Sequence, residues 1–213
     1  MAAARRRAVL RIGRRGTAGP GDRNSESTGA TRQDGPAAAP AAYWRELMRR
    51  HSIRPKKRLS QNFLIDPSAL EMVLRAADLE GNESVLEIGA GLGSLTRLLV
   101  QAARRVTAFE VDRSLEPALR EAVGSASNLA VVWEDVLEAD WAAEIGGGRY
   151  AVVANIPYSI TSLLLRRLLE SEQAPFRIVL TLQKEVVERI LSGPGDMSLL
   201  ALSVQVYGQP RLA

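Results

Sequence analysis

The sequence has no cysteine and a single histidine, His51. Without cysteine the chain can form no disulfide, no thiolate metal site and no covalent cysteine nucleophile, and this composition fits a reducing compartment. His51 lies among arginines, as an exposed residue of a basic helix would. One histidine without cysteine does not supply the ligands of a structural zinc site, so we expect no bound metal.

Long apolar runs are also missing from the sequence. No uninterrupted run approaches the roughly 20 residues that a membrane span requires. The 213 residues are enough for one α/β domain with a proper core. We therefore expect a soluble, cytoplasmic monomer without membrane association.

Acidic residues are scarce in the first third of the chain. Residues 1–60 contain 15 Lys and Arg against 4 Asp and Glu, whereas residues 61–213 contain 13 against 20. Phosphate contacts supply most of the non-specific affinity for nucleic acids, so this asymmetry is typical of nucleic-acid binders. The alternative is a basic tail that only keeps the protein in solution.

Large apolar side chains are scarce in residues 1–42, where Ala, Arg, Gly, Pro, Ser and Thr predominate. Such a segment cannot bury enough surface to offset its chain entropy. We predict a disordered basic tail over residues 1–42 and one domain over residues 43–213. The arginine-rich, acid-free start also suits an organellar transit peptide, or a start codon assigned too far upstream.

From residue 67 onward, helix and strand patterns alternate. Strands are predicted at 84–89 (SVLEIG), 105–111 (RVTAFEV), 129–135 (LAVVWED), 150–156 (YAVVANI), 177–183 (RIVLTLQ) and 200–208 (LALSVQVYG). Helical patterns occupy PSALEMVLRAADL, SLTRLLVQAA, RSLEPALREAV and SITSLLLRRLLESE, and a further helix is predicted to begin near Tyr43. This alternation predicts an α/β fold with a doubly wound, mostly parallel sheet.

A glycine-rich turn follows the first of these strands in VLEIGAGLGSLTRLL. Gly89, Gly91 and Gly93 permit a sharp turn and a close approach of a ligand to the backbone. The turn lacks the G-x-G-x-x-G spacing of a pyrophosphate site. Glu87, at the strand end, would repel phosphates and favour a cationic ligand.

Acids also follow the next two strands. Glu110 comes nineteen residues after Gly91, where an acid bonds ribose hydroxyls in nucleoside-binding folds. Asp135 ends the third strand, where its carboxylate can accept a hydrogen bond from an adenine amino group. S-adenosylmethionine, with its sulfonium and ammonium, has the charge that this site favours. The alternative is that both acids are only helix caps.

The apolar run AVVANIPYSI ends in Asn155, Ile156, Pro157 and Tyr158. An exocyclic adenine amine is a poor nucleophile, and hydrogen-bond acceptors can hold it in line for methyl transfer. The Asn155 side chain and the Ile156 carbonyl supply acceptors, Pro157 stiffens the turn and Tyr158 can stack on the base. The absence of cysteine favours nitrogen or oxygen as the acceptor atom. The alternative is an ordinary strand-to-helix turn with asparagine as cap.

Six segments together resemble one family: QNFLID, LEIGAGLGSLT, FEVD, EDVLEAD, NIPYSI and LQKEVVERI. In this order and spacing they are similar to the ribosomal RNA adenine dimethyltransferases, whose bacterial members dimethylate two adjacent adenines near the end of small-subunit rRNA. The resemblance spans residues 44–211. It implies a Rossmann-like class I S-adenosylmethionine-dependent methyltransferase that acts on small-subunit rRNA or its precursor, with a target adenine flipped into the site.

The resemblance also implies roles for individual residues. Asn62 and Leu64 would cover the cofactor, Gly89 would meet its methionine end, Glu110 and Asp135 would hold its ribose and adenine, and Asn155, Ile156, Pro157 and Tyr158 would receive the target base. Glu87, Gly91 and Asn155 complete the predicted cofactor-binding set.

Two features depart from the family pattern. Ser60 stands where the family most often has glycine, a change that we expect to be tolerated. The chain stops at VYGQPRLA, where family members continue through a final strand into a helical domain. We therefore expect a sheet without its last strand, and no helical C-terminal domain.

Three other functions stay open. A truncated, non-catalytic RNA-binding or ribosome-assembly factor would explain the short C-terminus, and a large-subunit rRNA methyltransferase that gives macrolide resistance would share the motifs. NIPYSI fits the small-subunit branch better. A nicotinamide-dependent dehydrogenase would explain neither this motif nor the missing glycine spacing.

Overall fold

The computed structural model describes residues 7–14, 37–156 and 158–213, with Tyr158 described by its backbone alone. The strands are β1 (Arg7–Arg14), β2 (Ser84–Ile88), β3 (Arg105–Phe109), β4 (Leu129–Val132), β5 (Tyr150–Ala154), β6 (Arg177–Gln183) and β7 (Gly208–Leu212). The helices are α1 (Ala41–Arg50), α2 (Pro67–Ala77), α3 (Thr96–Ala102), α4 (Glu116–Val123), α5 (Trp141–Ile145), α6 (Thr161–Glu170), α7 (Lys184–Leu191) and α8 (Leu199–Tyr207). Short 3₁₀ turns lie at Lys57–Leu59, Arg113–Leu115 and Tyr158–Ile160.

The described strands form one sheet in the order β4-β3-β2-β5-β6-β1-β7. The five strands from β2 to β6 pair in parallel, which confirms the predicted parallel sheet. The chain winds outward in one direction from β2 and in the other from β5, so the order reverses between these two strands. In open α/β sheets, ligands bind beyond the carboxyl ends of the strands at such a reversal.

The core lies on both faces of this sheet. Every residue of β2 and β5 is buried, as expected of central strands covered on both sides. One apolar cluster includes residues of α5, α6, α7 and α8, and another includes residues of α2, α3 and α4. No helix in residues 37–156 and 158–213 is long and apolar enough to cross a membrane.

The first correction concerns residues 7–14, which were predicted to be disordered and instead form β1. This strand lies between β6 and β7 and is antiparallel to both. Val9, Leu10 and Ile12 are buried, so a short apolar run is covered by the rest of the molecule. Composition averaged over residues 1–42 conceals so short a run. The rest of that prediction falls largely on residues 1–6 and 15–36, which lie outside the described residues.

The second correction concerns residues 200–208, which were predicted to be a strand and instead belong mostly to α8. The Ser198 side chain caps this helix by accepting a hydrogen bond from Ala201 N at 3.1 Å. Leu200, Ala201 and Val204 are buried, whereas Leu202 and Val206 are exposed, which is the pattern of a helix face. The prediction was wrong because the apolar residues of this segment fit the spacing of a strand as well as that of a helix.

The sheet also extends further than predicted. Beyond β6, where we expected the last strand to be missing, β1 and β7 continue the hydrogen-bonded ladder. Gly208 begins β7 against β1, and a Cβ at this position would lie only 2.5 Å from Ile12 Cγ2. Close contact between the backbone of β7 and the side chains of β1 therefore requires glycine here.

Candidate active site

The glycine-rich turn lies at the carboxyl end of β2. Gly89 has a φ of +82°, a conformation that favours glycine, and its amide donates to the Phe109 carbonyl at the end of β3 over 2.8 Å. Gly93 has a φ of +84°, and a Cβ there would lie 2.8 Å from Leu119 Cδ1. The turn is therefore held between two strand ends and α4, with its backbone open to a ligand.

Glu110 fixes the next part of this edge. It is buried, and its carboxylate accepts hydrogen bonds from Gly91 N at 2.8 Å and from Asp112 N at 2.9 Å. Burial raises the pKa of Glu110, while these two backbone bonds act in the opposite direction. The acid that follows β3 therefore positions the glycine turn as well as facing the cavity.

Glu87 lies beneath the turn. Glu87 is only 1% exposed, and within the described part of the chain neither of its carboxylate oxygens has a hydrogen-bond partner. Burial raises the pKa of the Glu87 carboxyl to about 8, against a smaller opposing effect of the neighbouring Thr96. Burial of this acid therefore favours its protonated form at neutral pH.

The segment RPKKRLSQNFLID forms a lip over the cavity, and a cluster around Asp112 anchors it. Asp112 accepts from Lys56 Nζ at 2.6 Å and from Gln61 Nε2 at 2.8 Å, both on the lip. Burial acts to raise the pKa of the Asp112 carboxyl. The hydrogen bonds that this carboxyl accepts outweigh burial and lower its pKa to about 2, and the largest of these contributions comes from Lys56. Further along, the Ser94 hydroxyl donates to the Leu64 carbonyl at 2.6 Å.

Asn155, at the carboxyl end of β5, is held at both ends of its side-chain amide. Its Nδ2 donates to the Asn62 carbonyl of the lip at 3.0 Å, and its Oδ1 accepts from Arg7 of β1. Ile156, next in the chain, is buried. Pro157 and the side chain of Tyr158 lie outside the described residues, so the predicted stiffening and stacking are not addressed by the structure.

One cavity collects most of the predicted site residues. Asn62, Leu64, Gly89, Gly91, Glu110, Asp135, Asn155 and Ile156 all line it. Glu87 does not line it, because its side chain is buried behind the wall. Asp135 is exposed at the rim, where its Oδ1 accepts from Leu137 N at 2.9 Å.

Several residues of the site were missed by the sequence analysis. Arg7 and Glu134 line the cavity, and Asp112, Lys56 and Gln61 anchor its lip. Arg7 lay in the segment predicted to be disordered, so no local signal pointed to it. Asp112 is the last residue of the segment FEVD. Its position two residues after Glu110 was a local signal that could have identified it as a site residue.

Charge is distributed unevenly around this cavity. Carboxylates of Glu110, Glu134 and Asp135 line the part at the ends of β3 and β4, while Arg7 lines the part at β1. Acidic walls favour a ligand with positive charge on one side, and the guanidinium favours an anion or a hydrogen-bond acceptor on the other. The two parts of the cavity therefore differ in the ligand charge that they favour.

Known proteins resemble this chain in sequence. Residues 52–209 match the family model described as "Ribosomal RNA adenine dimethylase". The chain is 40% identical over 186 residues to a ribosomal RNA small subunit methyltransferase A of Dehalococcoides mccartyi, which covers 84% of this chain and 64% of that relative. The chain thus spans less than two thirds of the length of this curated relative.

Solved structures show the same likeness. A dimethyladenosine transferase from Plasmodium falciparum matches 68% of this chain and 52% of its own, with 28% identity and a TM-score of 0.60. The 23S rRNA methyltransferase ErmE matches 60% of this chain and 50% of its own, with 34% identity and a TM-score of 0.52. From the family match, the sequence identity and the shared fold, we conclude that this chain belongs to the ribosomal RNA adenine dimethylase family.

Proposed function

We propose that this chain transfers methyl groups from S-adenosylmethionine to the N6 amino group of adenines in small-subunit rRNA, dimethylating two adjacent adenines during ribosome biogenesis. The observation that carries the proposal is one cavity that joins the glycine turn and the strand-end acids to Asn155 and Ile156. We further propose that the reaction takes place in the cytoplasm, where bacterial ribosomes are assembled.

The residues of the cavity fit S-adenosylmethionine. A Cβ on Gly91 would lie 3.3 Å from Phe63 Cδ1, so glycine leaves room between the turn and the lip. Glu110 would accept from the ribose hydroxyls, Asp135 from the adenine amino group, and Asn62 and Leu64 would cover the ligand. When bound, S-adenosylmethionine supplies an electrophilic methyl group on a cationic sulfonium.

Asn155 and Ile156 would hold the target adenine. A carbonyl oxygen has two lone pairs, so Asn155 Oδ1 can accept from the target amine while it also accepts from Arg7. The Ile156 carbonyl would accept the second amine hydrogen and so fix the nitrogen in line for attack. Most of the acceleration would come from this positioning, and the proton that the methylated amine loses would be released to bulk solvent after the transfer.

The lip would exclude water from the reacting groups. Its bonds to Asp112, and that between Ser94 and Leu64, tie it to the sheet edge and to the glycine turn. Water that enters such a site weakens the hydrogen bonds that orient the amine. Loss of the anchor is therefore expected to affect both cofactor affinity and transfer.

A second candidate is methylation of large-subunit rRNA. It is favoured by the structural likeness to ErmE, a 23S rRNA methyltransferase. The motif NIPYSI favours the small subunit, so we rank this candidate second. A non-catalytic RNA-binding or ribosome-assembly factor is the third candidate.

The test is transfer of labelled methyl from S-adenosylmethionine to under-methylated small subunits and, separately, to under-methylated large subunits. We expect label in small-subunit adenine that is lost in Asn155→Ala and retained in Asn82→Ala, the same substitution at an exposed turn. Label in the large subunit would support the second candidate. Cofactor binding without transfer, even after the chain is extended with a relative's C-terminal region, would support the assembly factor.

A further inference from the structure

A second cavity adjoins the first at its β1 side. Arg7, Ser60, Asn62 and Ile156 line both cavities, so the two share a wall. The second has a volume of about 260 Å³ and continues toward the end of β6. It lies beside Ile156, which is proposed to hold the target adenine, so a nucleotide bound there has space to extend into it.

The lining of this second cavity combines one cation with polar and apolar residues. Its polar residues include Arg7, Ser159, Thr181 and Gln183, and its apolar residues are Ile156, Leu182 and Val186. None of the described residues that line it is acidic, in contrast to the three carboxylates of the first cavity. This set of donors without carboxylates favours an anion.

Thr181 provides an independent observation. It is only 2% exposed, and its hydroxyl has no hydrogen-bond partner in the described part of the chain. Buried hydroxyls without partners are uncommon, because desolvation without a replacement bond is unfavourable. Because Thr181 is one of the residues that line the second cavity, a ligand bound there could supply the partner that its hydroxyl lacks.

The direction of β1 explains why Arg7 is available here. Because β1 is antiparallel to β6, its first residue pairs with Gln183 at the carboxyl end of β6, which is the ligand edge of the sheet. Among the described residues, the Arg7 guanidinium donates one hydrogen bond to Asn155 Oδ1, and a guanidinium has five N–H donors. Arg7 can therefore keep its bond to Asn155 while donating to a ligand.

We propose that this cavity binds a backbone phosphate of the RNA next to the target nucleotide, with Arg7 as its cation and Thr181 as a hydroxyl donor. The inference rests on the proposed function for the choice of RNA as the source of the phosphate. A contact of this kind orients the strand without reading its sequence. It would hold the backbone in place while the target base enters the site.

The experiment measures binding of a single-stranded oligoribonucleotide with two adjacent adenines to the full chain, over a series of salt concentrations. Arg7→Gln is compared with Arg14→Gln, which removes the same charge from the exposed far end of β1. We expect Arg7→Gln to weaken binding roughly tenfold at low salt and to reduce the slope of log affinity against log salt by about 0.7. Arg7→Lys is expected to restore the slope.

Thr181→Val supplies a second measurement, in which stability and RNA affinity are expected to change in opposite directions. It removes an unpaired buried hydroxyl, so we expect the chain to become slightly more stable while RNA binding weakens several-fold. A merely structural role would not separate these two effects. Unchanged RNA binding in Thr181→Val would contradict its proposed role.

Other outcomes separate the failure of this proposal from the failure of the proposed function. If Arg7→Gln matches Arg14→Gln in RNA binding, or weakens S-adenosylmethionine binding alone, Arg7 does not bind RNA phosphate, although methyl transfer by the wild-type chain can still be observed. If the wild-type chain binds RNA through Arg7 but transfers no methyl group, the phosphate site stands and the proposed function fails. If it binds no oligoribonucleotide, the phosphate site fails, and methyl transfer to small subunits decides the proposed function separately.

Discussion

Replacing Glu87 with glutamine is expected to change how stability depends on pH. The carboxyl is buried with no described partner for either oxygen, and burial raises its pKa from 4.5 to about 8. Between these values the unfolded chain releases the proton while the folded chain keeps it. Stability therefore falls as pH rises, by about 1.4 kcal/mol for each pH unit well inside this window.

The magnitude follows from this slope. Between pH 5 and pH 7.5, Glu87 is expected to lower the free energy of unfolding of the wild-type chain by about 3 kcal/mol. Glutamine is a neutral analogue of the protonated acid and does not titrate. The stability of Glu87→Gln relative to wild type should therefore rise by about the same amount over this interval, while other groups cancel in the difference.

The assay is urea unfolding followed by far-ultraviolet circular dichroism at several pH values, without cofactor. Glu172→Gln, at an exposed glutamate, serves as the matched control and should show a constant difference from wild type. A difference for Glu87→Gln that stays constant within about 0.5 kcal/mol from pH 5 to 7.5 would refute the reasoning, since Glu87 would then be ionised or paired in the fold.

Three further predictions concern the lip, the turn and β1. Asp112→Asn should weaken S-adenosylmethionine binding severalfold in calorimetry, and equal affinities would contradict the anchoring role. It should also lower the free energy of unfolding at pH 7 by about 1 kcal/mol, a figure reduced because Lys56 is partly exposed to solvent. This loss should vanish as the pH falls from about 4 to 2, where Asp112 of the wild-type chain becomes protonated. Gly93→Ala should destabilise the chain by about 1–3 kcal/mol in urea unfolding, because of its positive φ and its contact with Leu119; an unchanged midpoint would contradict this. Leu10→Ala should cost about 2–5 kcal/mol in the same assay, whereas a disordered tail would show no effect.

The sequence by itself predicted the central part of the fold. The strands from β2 to β6 begin at the predicted residues because buried parallel strands give short, continuous apolar runs that are visible locally. The glycine turn and the strand-end acids were predicted for the same reason, since each follows directly from its own strand. The parallel order then brings Glu110, Asp135 and Asn155 to one cavity.

The tertiary structure decided what depends on distant partners. Residues 7–14 form a strand because β6 and β7 lie on either side of them, and residues 200–207 form a helix because one side of that segment is buried. Arg7 meets Asn155 across 148 positions of the chain, and Lys56 meets Asp112 across 56. Local patterns cannot report such contacts, because the loss of chain entropy on forming them is offset only when the whole sheet assembles.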